Sequence, residues 1–294
     1  MRKSVPVKRL CMLGCVLAAG GYFLTGAMPA ATAQTAKDAT VPDFYMDGGG
    51  WVTTSNDFFP PKNGLGPVKS DPKNPYVMET RGAQRQTFRV SDTSHPALMP
   101  WVRDELKKIN DQVLSGKPLY TVANTCRPAG VPNMLLVRIT PFFFVQTPNE
   151  VWLIWQNDHQ VRRVFLNREH SKALKPSWFG ESVGHYETGD TLVIDTIGLN
   201  TKTTVDNYHT PHTEKLHVVE RYHMIDKDSL EVEVTVDDPG AFTQPWHALQ
   251  KYHHAHNDSG NDPPYLYEEV CAETAATPVD IGMPPIPRAD KSDF

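Results

Sequence analysis

The sequence predicts a mainly all-β protein: an antiparallel β-barrel or barrel-like sandwich with one helix and a long N-terminal arm. Three observations carry this. From Leu135 onward, short apolar runs follow one another with no helical period between them. Tight-turn chemistry separates them, at Pro148-Asn149, Asn157-Asp158, Thr188-Gly189-Asp190 and Asp226-Lys227-Asp228. Several runs alternate with period two. In Leu230–Asp237, Leu230, Val232, Val234 and Val236 share one face, and Glu231, Glu233, Thr235 and Asp237 the other.

The chain opens with Arg2, Lys3, Lys8 and Arg9, an apolar run from Leu10 to Leu24, and Ala31-Thr32-Ala33. Charge, short apolar core and small-x-small site read as a secretory signal peptide, residues 1–33, cut after Ala33. The run is too short for a spanning helix. Lipid attachment at Cys15 would leave almost no hydrophobic segment upstream. Removing the signal leaves 294 − 33 = 261 residues, enough for one sizeable β domain. It also removes four positive charges and no acid, so the formal charge becomes −5 − 4 = −9. An acidic chain with no basic block argues against nucleic acid and anionic membrane as partners. A small molecule is the expected partner, and oligomeric state is not legible. Cys126 and Cys271 remain, and in an exported protein they are expected to pair.

Residues 34–120 read as an irregular arm with one helix. Its first part is turn-rich, at Asp47-Gly48-Gly49-Gly50 and Phe59-Pro60-Pro61-Lys62-Asn63-Gly64, and is expected to wrap the outside of the domain, pinned by Trp51, Phe58 and Phe59. Pro100 marks the helix start and Gly116 its stop, with Trp101, Leu106, Ile109, Val113 and Leu114 as the apolar stripe. Residues 121–276 form the β domain. Nine runs read as strands: Leu135–Ile139, Phe142–Thr147, Val151–Asn157, Val161–Asn167, Thr191–Leu199, Leu216–Ile225, Leu230–Asp237, Trp246–Tyr252 and Tyr265–Val270. That many antiparallel strands curl and close, in a lipocalin-like manner. Residues 277–294 are a Pro-rich tail.

Candidate chemistry comes from polar residues set within apolar strands, because a charge in an apolar row must find a partner, face a wet cavity or lose its charge. Asp195 stands between Val193 and Ile197, and Glu220 between Val218 and Tyr222. Pro211-His212-Thr213-Glu214 puts His212 and Glu214 two apart, facing the same way in extended chain. An imidazole beside a carboxylate suits proton transfer near neutral pH. His212, Glu214, His217, Asp195 and Glu220 are therefore the candidate catalytic residues, with His212 or His217 as acid or base and Asp195 and Glu220 as orienters. Arg162 or Arg221 would anchor an anionic group, and Trp155, Trp178 and Tyr222 would line the pocket. Asp195, His212, His217 and Glu220 are expected to share one cavity, with His212–Glu220 the pairing that strand parity favours.

Gly180-Glu181-Ser182-Val183-Gly184 matches the Gly-x-Ser-x-Gly of serine hydrolases. No helix follows and no βαβ pattern surrounds it, so it reads as a glycine-permitted bend. His253-His254-x-His256 is a possible metal cluster that runs into a polar loop, equally suited to adventitious binding. Nothing asks for a nucleotide, and no cofactor or metal is assigned.

On these residues the chain resembles a family of exported, mostly uncharacterised bacterial proteins. The resemblance rests on Pro176-Ser177-Trp178, the Gly-x-Ser-x-Gly segment and the Gly-Asp-Thr-Leu-Val-Ile-Asp-Thr run of 189–196. Pro211-His212-Thr213-Glu214, Leu216-His217-Val218-Val219-Glu220-Arg221, Asp238-Pro239, Pro245-Trp246 and Cys126-Arg127-Pro128 add to it. It covers roughly residues 120–275 and implies export, but no particular activity. The chain carries one residue more than the family pattern at 186–190, which implies a longer, bulged turn there. The expected function is cofactor-independent proton transfer (elimination, isomerisation or hydration) on a small, partly aromatic molecule. The alternatives are a binding protein without turnover and, third, a hydrolase using Ser182 or a metal.

Overall fold

The computed structural model describes residues 41–45, 48–76, 89–117, 119, 126–137, 140–187, 190–255 and 266–268. The signal segment, the tail from 277, His256 and Cys271, and with Cys271 its pairing to Cys126, lie outside the described residues. Among those described, no helix is long and apolar enough to cross a membrane.

Among the described residues, nine strands close into a barrel in sequence order: β1 Trp51–Thr53, β2 Phe142–Gln146, β3 Glu150–Trp155, β4 Gln160–Leu166, β5 Glu181–Glu187, β6 Thr191–Ile197, β7 His217–Asp226, β8 Ser229–Asp237 and β9 Trp246–His254. Every neighbouring pair is antiparallel except β4 and β5, which run parallel. The all-β barrel with one helix is as expected; its antiparallel order is broken once, at β4–β5, for a topological reason. Each antiparallel pairing reverses direction, and a closed ring must return to its starting direction. An odd ring of strands therefore needs a parallel seam. The seam requires a long return connection, and residues 167–180 supply it between β4 and β5.

Two strands were not legible. β1 belongs to the N-terminal arm, which enters the wall instead of only wrapping it: Trp51 pairs with His254 on one side and Phe142 on the other. β5 was read as a bend. Conversely, Leu135–Val137, the described part of the expected strand Leu135–Ile139, is not strand, because a 3-10 turn occupies Asn133–Leu136. A short apolar run buried on all sides looks the same by periodicity in either state. This turn caps the barrel interior. The Leu135 carbonyl accepts from Tyr252 Oη at 2.8 Å and Gln250 Nε2 at 3.3 Å. Leu266–Glu268, the described part of the last expected strand, is not strand.

The core fills the barrel. Phe142 stacks on Trp155 at 4.9 Å between ring centroids, and Phe44 from the arm stacks on Phe144 at 4.6 Å. The alternation of β8 is as expected, with Leu230, Val232, Val234 and Val236 buried. The helix, α1, spans Pro100–Leu114 with proline in its first turn, and Gly116 follows with φ +76°. Its buried stripe is Val102 and Leu106, with Ile109 packed behind them. Trp101 and Leu114, expected in that stripe, are exposed, and the Trp101 indole instead donates to the Gly240 carbonyl at 2.7 Å.

Candidate functional site

The expected site residues separate into three places. The first is the barrel interior. Arg162 shares the inward face of β4 with Val164 and Leu166, and Glu220 that of β7 with Val218 and Tyr222. The two charges meet in a bidentate pair, both essentially without solvent exposure. Arg162 Nε also donates to Ser182 Oγ at 3.0 Å and Nη2 to Thr196 Oγ1 at 2.7 Å. Tyr222 Oη donates to Glu220 Oε1 at 3.1 Å, and Ser182 and Thr196 share a hydrogen bond of 2.9 Å. Burial alone would weaken the Arg162 charge, but the Glu220 carboxylate outweighs it and raises the guanidinium above its ordinary range. Burial, then the charge of Glu220, pushes the Tyr222 phenol well up, so it stays a donor. Trp155 joins this core through Phe142. Arg162, Glu220 and Tyr222 thus come together as a closed polar strut, with Trp155 in the same core. In this geometry Arg162 is committed to Glu220 and is not a free anchor for an anion.

Ser182 belongs to the same strut, which disposes of the nucleophile-elbow geometry. Its hydroxyl is buried on β5, in a wall strand instead of a strand-to-helix turn. The flanking glycines answer to packing. A Cβ on Gly184 would lie 2.7 Å from the Val193 carbonyl oxygen, and one on Gly180, at φ +62°, 2.3 Å from that of Ile197. Ser182 is expected to resist a fluorophosphonate in the folded protein. Ser182→Ala is expected to cost about 1–3 kcal/mol in urea unfolding, because the Arg162 Nε–H loses its acceptor. Covalent labelling of Ser182 would contradict this.

The second place is the loop before β7. His212 is buried, with Nε2 2.9 Å from Thr203 Oγ1 and Nδ1 2.9 Å from the Thr213 carbonyl. A carbonyl only accepts, so Nδ1 carries the proton and Nε2 takes the threonine hydroxyl. Burial lowers its pKa, against the pull of the Thr213 carbonyl and Asp238. Glu214 points to solvent and does not pair with it. The favoured His212–Glu220 pairing does not form. The parity argument assumed extended chain from 212 to 220, whereas the segment turns at Thr213–Leu216. Asp238 fixes that turn, accepting from Thr213 N at 2.6 Å and Thr213 Oγ1 at 2.7 Å.

The third place is the outer wall. Asp195 of β6 and His217 of β7 face outward and meet, His217 Nε2 lying 3.0 Å from Asp195 Oδ2. One cavity for all four residues is therefore corrected: Asp195 and His217 share the outer wall, while Glu220 lies inside and His212 in the loop. Two further residues complete the cluster. His170, in the β4–β5 connection, places Nε2 2.9 Å from Asp195 Oδ1 and Nδ1 3.2 Å from Glu181 Oε1. Glu181 accepts in addition from Ser171 N at 2.7 Å, Ser171 Oγ at 2.6 Å and Arg168 Nη2 at 3.2 Å. Carboxylate and imidazole alternate in the order Glu181, His170, Asp195, His217. Side-chain exposure rises along the row, from 13% and 20% at Glu181 and His170 to 38% and 40% at Asp195 and His217. The row is wettest at Asp195 and His217.

Asp195 is partly buried, which raises its pKa, but the hydrogen bonds from His217 and His170 win and lower it. Glu181 follows the same pattern, with Ser171 the main opposing partner. The hydrogen bond to Asp195 raises His217. The signs set a window. The stabilisation through His217 is full below about pH 6.5 and fades as pH rises through its raised value. That through Asp195 is full above about pH 4 and fades as pH falls through its lowered value. Both are full between about pH 4 and about pH 6.5.

Arg221 also lies on the outer wall, paired with Glu187 and 4.0 Å from Glu233, so it too is committed. Trp178 sits half-buried under Lys202, 5.7 Å from its ring. Among the described residues, no group of three or more His, Cys, Asp or Glu side chains is arranged to hold a metal. His254 is turned in against Trp51 and His253 faces out, because β9 alternates. The sequence reading missed His170 and Glu181. Glu181 was hidden with its strand, whose inward face is not apolar, and His170 stands in a segment with no period to read. No family model, no curated protein and no solved structure matches the chain.

Proposed function

We propose that the protein is an exported, periplasmic or secreted, cofactor-independent enzyme that performs proton transfer on a small, partly aromatic molecule, in an elimination, isomerisation or hydration. One observation carries the reading: a half-exposed imidazole, His217, held by a carboxylate that a second imidazole–carboxylate pair clamps in turn. An ionised Asp195 only accepts, so the Nε2–H of His217 points at it and the Nδ1 lone pair is left for a substrate proton. His217 is the catalytic residue in this reading. Its Nδ1 takes a proton from carbon or water, Asp195 stabilises the imidazolium, and the same nitrogen returns the proton to a leaving oxygen or a neighbouring carbon. Asp195, His170 and Glu181 are positioning residues. The charged, apolar and small-x-small order of residues 1–33, and the resemblance to exported proteins, support the location. Export in turn favours a Cys126–Cys271 bond.

The test uses heavy water and a panel of aryl-substituted carbonyl compounds with an acidic α C–H. The wild-type protein is expected to place deuterium at that carbon, read by proton NMR. The rate should rise with pH through a value above the usual imidazole range, because His217 is raised. His217→Gln is expected to lower the rate by roughly 10²–10⁴-fold with binding kept. An unchanged rate in His217→Gln would overturn the assignment. Binding without exchange across the panel would replace the enzyme by a binding protein without turnover.

A further inference from the structure

A pocket of about 390 Å³ lies beside the wall cluster, between the outer face of β4 and the connection that returns to β5. It is of the size that takes a small molecule. Its apolar lining is Val161, Phe165, Leu174 and Phe179, and Gly180 contributes bare backbone. Its charged lining is Arg163, Lys175 and Glu181. Two of these three charges are already answered. Glu150 takes Arg163, with Nη2–Oε1 at 2.7 Å and Nε–Oε2 at 3.2 Å. Arg168 and Ser171 donate to Glu181, and His170 Nδ1 lies 3.2 Å from its Oε1, so that both of its oxygens are engaged. Lys175 is exposed and makes no ion pair or hydrogen bond with a described residue. The guanidiniums of Arg163 and Arg168, each paired with a carboxylate, lie 5.0 and 3.7 Å from the centre of the Phe165 ring.

We infer that this pocket is a binding site for a flat apolar molecule carrying one anionic group, of the aryl carboxylate class, with its body on Phe179 and Leu174 and its charge on Lys175. The assignment follows from the accounting above: apolar walls and, among the described residues, one lining cation without a partner and no uncompensated lining acid. It also moves the anion anchor away from Arg162 and Arg221, both of which the fold commits to carboxylates. The site borders the proposed chemistry through Glu181, which lines both, but His217 itself is not part of its lining.

The probe is 2-naphthoate, with 2-naphthamide as its neutral counterpart, titrated into the ¹⁵N-labelled full chain. Naphthoate is expected to shift the amides of Ser177, Phe179 and Gly180, and to bind at least fivefold more tightly than naphthamide. Lys175→Ala, at an exposed position that unfolding does not feel, is expected to erase that preference and leave naphthamide binding unchanged. His217→Gln is expected to leave both affinities unchanged, so a failed enzyme assignment and a failed binding site are distinguishable. Shifts confined to other parts of the barrel would overturn the inference. So would equal affinity for the two probes, or a preference that survives Lys175→Ala.

Discussion

Glu220→Ala is expected to destabilise the protein by about 3–5 kcal/mol, the cost of leaving a buried charge without its partner. The substitution strands the Arg162 guanidinium inside a closed barrel, with only Ser182 and Thr196 to bond. It also takes the acceptor from the Tyr222 hydroxyl. For a chain of this size, that is a fall in Tm of roughly 6–20 °C. The informative control is the double replacement Arg162→Met with Glu220→Leu. Exchanging a whole buried pair for apolar groups of similar volume is neutral or better in other proteins. Here Ser182 and Thr196 retain their bond to each other, and only the Tyr222 hydroxyl goes short. The double variant is therefore expected within about 2 kcal/mol of wild type. Urea unfolding of the three proteins decides. A Glu220→Ala protein within 1 kcal/mol of wild type would mean that the pair is already reached by water, and the description of a closed strut would fall.

Gly180→Ala is expected to cost about 2–5 kcal/mol, from two sources. An L side chain in the left-handed region costs roughly 1–2 kcal/mol, and a forced steric shift in a packed wall about 1–3 kcal/mol. At Gly180 the added methyl would lie 2.3 Å from the Ile197 carbonyl oxygen, which is backbone of a wall strand and does not yield cheaply. Gly116→Ala isolates the first source, since φ is +76° there and nothing lies within 4 Å of the added carbon. The difference between the two variants in chemical unfolding is the steric part. Equal losses would show that β5 and β6 can part at no cost. Gly180 also lines the outer pocket, so the same variant is expected to weaken naphthoate binding.

What could be read from the sequence follows from period and punctuation. β8 was legible because its apolar and polar residues alternate without exception, and α1 because proline and glycine bracket it. Arg162 and Glu220 were legible as individuals, since a charge in an apolar row is conspicuous, but not as partners. They are 58 residues apart and face each other across the barrel, a distance that strand parity does not encode. β1 was illegible because three residues carry no period, and its place in the wall is set by two edges far away in the chain. β5 was hidden by its own composition. Ser182, Gly184 and Tyr186 face inward where apolar residues are the usual sign of a strand, because the strut and the close approach to β6 need a hydroxyl and a bare backbone there. The wall cluster was half legible: Asp195 and His217 stand on strands, whereas His170 arrives on an irregular connection whose path depends on the parallel seam.

The position of β1 bears on the order in which the chain is built. A ribosome makes Trp51–Thr53 first among the wall strands, and their partners Tyr252–His254 last, 254 − 51 = 203 residues later for the outermost pair. Contacts so far apart are slow to form, because the loop-closure entropy is spent before any pairing repays it. The hairpins from β5 to β9 are local and can assemble as each strand emerges. Their free edges stay open until the wall is sealed, and an open sheet edge pairs with whatever strand is offered. The nascent protein therefore carries its own closing piece from the start, but cannot use it until β9 has been made.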